Sequence, residues 1–294
     1  MIGLVLGAAL LATSVQEPQE TAATAPDAPS TVEEVVVTAQ SEKAVEAFVS
    51  EVSQETKSGR LARWNRKICV GVLGVEKKHA EYLIDRVSLA ALAVGLDSDA
   101  PGCRPNVLVI SAADAGALAA HLVEKHPHAL EKYEDEGATR GRDALKDFVA
   151  APRPVRWWHV TRQVNAEGER AGSDKSMRVR GVGRIRGTSR EDFSRVLVVL
   201  DSKRLSGVKF QAVSDYVAMV ALAQLDPEAD TSGLPTILNV FADRDAGRVP
   251  AAGMTEWDVA YLQGLYGSKR DARNAREQQR AILRKMKESP SNGG

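Results

Sequence analysis

Cysteine, histidine and long apolar runs are all scarce in this chain, and each scarcity excludes something. The 294 residues include 2 cysteines, Cys69 and Cys103, without the CxxC spacing of a zinc site. The 5 histidines stand at positions 79, 121, 126, 128 and 159, so the last 135 residues hold none. No run of 18 apolar residues occurs, which leaves no ordinary membrane-spanning helix. Charge of one sign is lacking too. The 39 Lys and Arg balance 39 Asp and Glu, which rules out a uniformly basic nucleic-acid binder but leaves room for local patches. Aromatics are only 5% of the chain, yet the apolar fraction of 44% is ample for a core, and the length suits one large α/β domain.

Familiar catalytic and cofactor motifs are missing as well. There is no G-x-S-x-G elbow and no Walker lysine, and Gly71 and Gly74 do not complete a GxGxxG fingerprint. Asp226, Glu228, Asp230 and Ser232 alternate as calcium ligands do. However, Gly233 falls at loop position eight rather than six and Ile237 stands at position twelve, which excludes an EF-hand. His121, Glu124, His126 and His128 resemble a metal cluster in spacing, but Pro127 ends any helix before His128, so a solvated helix end is the expectation. No catalytic, cofactor or metal residues are therefore assigned. The one constellation worth testing is a hydrolase built from Ser111, Asp114, Asp201 and Ser202 at strand ends, with His159 as base.

Residues 1–15 (MIGLVLGAALLATSV) have the length and apolarity of a signal peptide, with Ala12 and Ser14 at the small-residue positions, although no basic residue precedes the apolar stretch. Residues 16–40 form a Pro-, Ala- and Thr-rich acidic linker. From Glu17 to Glu55 there are nine acids and one base, Lys43. An exported chain matures where thiols oxidise, so Cys69 and Cys103 are expected to form one disulfide. The loop of about 35 residues that it closes is worth roughly 3–4 kcal/mol.

The body of the chain, 41–288, reads as a single α/β domain with a mixed sheet flanked by helices, followed by a flexible tail at 289–294. Ala44, Val45, Phe48, Val49 and Val52 make one helical stripe, with Ser41 placed to cap it. Lys67–Leu73 and Asn106–Ile110 read as buried strands. Between them Leu83, Val87, Ala90, Ala91 and Val94 recur at helical spacing until Gly95, and Asp114 is placed to cap a further helix. This β-α-β order favours parallel pairing and brings the two cysteines together. Val155–Val164 and Ser176–Arg186 read as a hairpin, Arg195–Leu200 as another buried strand, and Phe210–Leu225 as a central helix. Thr255–Tyr266 and Arg270–Lys287 read as the last two helices.

Two basic features stand out as candidate anion-binding surfaces. Arg178, Arg180, Arg184 and Arg186 share one face of the Ser176–Arg186 strand. Arg273, Arg276, Arg280, Arg284 and Lys287 make a stripe opposite Ala275, Ile282, Leu283 and Met286. Such stripes suit an anionic polymer, anionic lipid heads or the acidic leader of the chain itself.

The stretch Val32-Glu33-Glu34-Val35-Val36-Val37-Thr38-Ala39-Gln40 resembles the TonB box of outer-membrane TonB-dependent receptors. That resemblance implies strand addition to the periplasmic protein TonB through Glu34, Val35, Val36, Val37 and Thr38. The rest of the chain is too short and too helical to supply a receptor barrel. The order of Ser214–Leu225, Ile237–Phe241, Met254–Asp258 and Tyr261–Tyr266 resembles exported zincin-like metallopeptidases, in which the central helix carries His-Glu-x-x-His. Here that helix reads SDYVAMVALAQL, so the resemblance implies a relative without zinc chemistry. Over most of its length the chain is similar to uncharacterised exported proteins of alphaproteobacteria. Together these readings describe a periplasmic protein that binds rather than catalyses, with an envelope protein or anionic surface as its partner. Nucleic acid, sparse in that compartment, is disfavoured.

Overall fold

The computed structural model describes residues 32–130, 140–165, 168 and 189–288. It divides into two compact units, Met1–Thr38 and Ala39–Gly294. Twelve regular elements carry the fold among the described residues. They are α1 (Val32–Val52), β1 (Val70–Leu73), α2 (Lys77–Leu92), β2 (Val107–Ala112), α3 (Ala115–Lys125), α4 (Gly141–Ala150), β3 (Val155–Asn165), β4 (Ser189–Asp201), α5 (Phe210–Leu222), α6 (Val240–Asp245), α7 (Glu256–Gly267) and α8 (Ala275–Glu288). None of the described helices is long and apolar enough to cross a membrane.

The four strands order as β1-β2-β4-β3, with β1, β2 and β4 parallel and β3 antiparallel at one edge. This is the single α/β fold with a mixed sheet that the β-α-β pattern predicts. Because side chains alternate across a strand, each strand feeds two cores. Val107, Val109, Val196, Val198, Leu200 and Trp157 join the larger core with α1, α2, α5, α7 and α8. Leu108, Ile110, Leu197, Val199, Trp158 and Val160 join the smaller one with α3 and α4. Burial of both faces explains why β2 and β4 read as continuous apolar runs.

Three local expectations change. The first helix starts at Val32 rather than after a cap at Ser41. Val45, Phe48, Val49 and Val52 anchor it in the core, and extension of an existing helix is cheaper than nucleation. As a result Glu34–Thr38 lie in helical backbone, whereas the TonB-box reading needs an extended chain. The hairpin partner of β3 is β4, paired from Val155↔Leu200 to Asn165↔Ser189, because the long apolar face of β4 gives β3 a core to cover. Ser176–Arg186, which includes Arg178, Arg180, Arg184 and Arg186, lies outside the described residues, as do 1–31 and 289–294.

The third change concerns the connection from Ser53 to Cys69, which has no sequence periodicity yet runs through the interior. Leu61, Ala62, Arg63, Trp64 and Ile68 are buried. Side chains satisfy its backbone. Leu61 N–H donates to Gln278 Oε1 at 2.9 Å, Gln278 Nε2 returns a bond to Leu61 O at 2.9 Å, and Ala62 N–H donates to Gln224 Oε1 at 3.0 Å. The buried Arg63 guanidinium caps the end of α7, donating to Leu265 O at 2.8 Å and Ser268 O at 2.9 Å.

Candidate functional site

In open α/β sheets ligands collect at the carboxyl ends of the strands, so that end is the first place to look. It holds Ser111, Asp114, Asp201 and Ser202, each with a local structural task. Asp114 Oδ1 accepts from Ala117 N–H at 2.8 Å and caps α3. Asp201 Oδ1 accepts from Arg204 N–H at 3.3 Å in the turn after β4, and Ser202 N–H donates to Ala112 O at 2.8 Å. Between β1 and β2 the backbone fills the crevice, since a Cβ on Gly74 would lie 2.1 Å from Ser111 O. The proposed base is elsewhere. His159 pairs with Val196, five residues along β4 from Asp201, a run of about 17 Å. The hydrolase constellation is not assembled.

The task of His159 is different. α5 is buried from Ala212 to Leu222 and has no basic residue in its last turn to meet its carbonyls. Ring donors do it instead: His159 Nε2–H to Val220 O at 2.7 Å, Trp64 Nε1–H to Ala221 O at 2.8 Å, and Tyr266 O–H to Leu222 O at 2.8 Å. Burial pushes the His159 imidazole down to about 4 from 6.5. The unfolded chain therefore takes up this proton first. Stability should fall as pH drops from about 6.5 to 4 and level off below, a loss of about 3 kcal/mol. Urea unfolding at pH 7.5 and 4 should show that loss in the wild type and its absence in His159→Gln, whose amide can still donate to Val220 O. Equal pH dependence in both proteins would refute the assignment.

His121 and His126 sit at the end of α3, with ring centroids 5.7 Å apart, and Pro127 opens a 3₁₀ turn before His128. Among the described residues no group of three His, Cys, Asp or Glu is placed to hold a metal. Arg273, just ahead of α8, and Arg276, Arg280 and Arg284 on it are exposed, opposite the buried Ala275, Ile282 and Met286. Arg273 lies 3.7 Å from Glu277, while Lys287 reaches Glu42 and Glu46 on α1, each at 3.0 Å. The stripe is thus partly answered by the acidic residues of the first helix.

Among the described residues a cluster of cations lies at the opposite, amino end of the parallel strands. An open cleft of about 520 Å³ is lined by Arg66, Lys67, Arg104, Arg162 and Arg195, with Asp99 as its one carboxylate. The Cys69–Cys103 disulfide, which the export reading predicts, joins the two segments that carry Lys67 and Arg104. Asn106 ties the same segments, accepting from Cys69 N–H at 2.8 Å and donating to Lys67 O at 3.0 Å. Arg195 Nη1 donates to His128 O at 3.0 Å and Ala129 O at 2.9 Å. Arg66 donates to Ser194 O and lies 5.8 Å over the Trp64 ring. Arg66 and Arg195 are therefore held in place before any ligand arrives. Sequence reasoning missed this cluster because its members come from four separate segments. The only available signal was that each cysteine has a basic residue beside it, Lys67 and Arg104.

A second cleft, of about 320 Å³, adjoins the first and shares Arg66 and Lys67 with it. Arg63 and Arg270 also line it, Asp97 is its one carboxylate, and Trp64 and Tyr266 form part of its wall.

The chain matches no protein-family model, no curated protein and no solved structure.

Proposed function

We propose that this is an exported protein of the cell envelope that acts by binding an anionic partner, with no chemistry of its own. The observation that carries the reading is the cleft of five cations against one carboxylate, on a chain whose formal net charge is zero. A neutral chain gains nothing structural from gathering that much like charge at one end of its sheet, whereas an anion would be attracted there. The disulfide supports an oxidising compartment, and the apolar and acidic leader supports export. TonB engagement through Glu34–Thr38 would require that segment to leave helical backbone, and the separation of His159 from Ser111 and Ser202 speaks against a hydrolase.

Phosphocellulose chromatography at pH 7 tests the reading, because retention of a neutral protein reports patterned charge rather than net charge. The wild type should be retained and eluted by salt. Arg66→Ala with Arg104→Ala should elute early, and Arg276→Ala with Arg280→Ala on α8 should shift elution much less. Early elution of the α8 variant alone would move the binding surface to the helix stripe and overturn the cleft.

A further inference from the structure

Resting on that reading, we infer that the ligand is a linear, phosphate-bearing polyanion lying across both clefts rather than a compact anion held in one. The cations form a row. Arg162 is on β3, Arg195 on β4, Arg104 precedes β2, and Lys67 precedes β1. These are successive positions across the sheet, β3-β4-β2-β1, so at about 4.8 Å per strand the row spans roughly 14 Å. Arg66 and Lys67 are shared with the second cleft, to which Arg270 adds a further exposed cation. Seven cations, the buried Arg63 among them, line the two clefts with two carboxylates, Asp97 and Asp99, and the charge is distributed rather than convergent.

A site for one small anion gathers buried donors around a closed cavity. Here Arg66, Lys67, Arg104 and Arg270 are exposed along open ground, the arrangement that tracks a charged chain and binds it through release of counterions. Six of the seven are arginines, whose fork meets phosphate oxygens in pairs. Single-stranded nucleic acid would want aromatic faces on which to stack its bases. Trp64 is only 1% exposed beneath Arg66, and the Tyr266 hydroxyl is committed to Leu222 O. The groove therefore suits a polymer without bases.

Titration of the full, oxidised chain with tripolyphosphate and with inorganic polyphosphate of about twenty units tests this. The long chain should bind at least tenfold more tightly after normalisation per phosphate, with affinity falling steeply with salt. Arg270→Ala should weaken the long chain about three- to fivefold and leave tripolyphosphate unchanged, whereas Arg104→Ala should weaken both. If Arg270→Ala has no effect on the long chain, the ligand ends at Lys67 and is compact. That overturns the inference and leaves the anionic-partner reading standing. Equal competition by a polycarboxylate of matched length overturns the phosphate assignment. No binding of either phosphate probe, with the circular dichroism of the wild type unchanged, overturns both.

Discussion

Opening the Cys69–Cys103 disulfide should lower the stability of this protein by about 3–4 kcal/mol, because the bond closes a loop with a sequence separation of 34. The loop contains β1 and α2 and closes just ahead of β2, within a βαβ unit whose parallel ladder, Val70↔Val107 to Leu73↔Ile110, forms only after the chain has crossed back over the sheet. In the unfolded chain the crosslink removes much of that search. In the folded chain the ends are already held, because Asn106 N–H and Val107 N–H both donate to Cys69 O, at 2.9 and 3.0 Å. The loss should therefore appear as a shift of the unfolding midpoint while the far-ultraviolet circular dichroism of the folded state is unchanged. For a chain of this size the melting temperature should drop by about 10 °C. Urea unfolding of the oxidised protein, the reduced protein and the Cys69→Ala, Cys103→Ala double variant checks it. The last two should coincide, and a midpoint that ignores oxidation state would refute the argument. The same bond holds the segments carrying Lys67 and Arg104, so the chemistry of the compartment is coupled to the shape of the cleft.

Elements with a strong period and a local stop signal were legible from residues alone. The stripe Leu83, Val87, Ala91 is buried on α2, Gly95 follows it with a φ of 77°, and Asp114 caps α3. The cysteine pairing followed from the order of those elements. What stayed hidden depends on partners far away in sequence. Ser53–Cys69 has no pattern because its order comes from Gln224, Gln278 and β4, each more than 120 residues off. The start of α1 was misread because Ser41 offers a cap that an already anchored helix does not need. His159 looked like a candidate base because its titratable ring is visible in the sequence, whereas its carbonyl partner on α5 is not. The basic stripes were easy to see because they are contiguous. The cation row at the sheet end was not, because residues 66, 67, 104, 162, 195 and 270 become neighbours only through the topology.

The other large effect centres on Asp258, which is fully buried yet carries a carboxyl group. Its Oδ1 accepts from Thr236 Oγ1–H at 2.6 Å, and its Oδ2 accepts from Ile237 N–H at 2.8 Å, Thr255 N–H at 2.9 Å and Thr255 Oγ1–H at 2.8 Å. Thr255 and Asp258 form a capping box at the start of α7, so one side chain closes that helix and fastens it to the 3₁₀ turn at Ile237–Asn239. Burial pushes the carboxyl up, and the hydrogen bonds from Thr236, Thr255 and Ile237 oppose that shift. Asp258→Ala would strand the Ile237 and Thr255 N–H groups and the Thr236 hydroxyl, while the Thr255 hydroxyl keeps Pro235 O at 2.7 Å, at a cost of roughly 3–5 kcal/mol. Asp258→Asn should cost far less. Its carbonyl oxygen can take the place of Oδ2 and keep three bonds, while its amide faces Thr236 Oγ1, a hydroxyl that accepts as readily as it donates. If a negative charge were what mattered, the two variants would be about equally damaging. Urea unfolding of both therefore separates a requirement for acceptor geometry from a requirement for charge, and the hydrogen-bond pattern predicts the former.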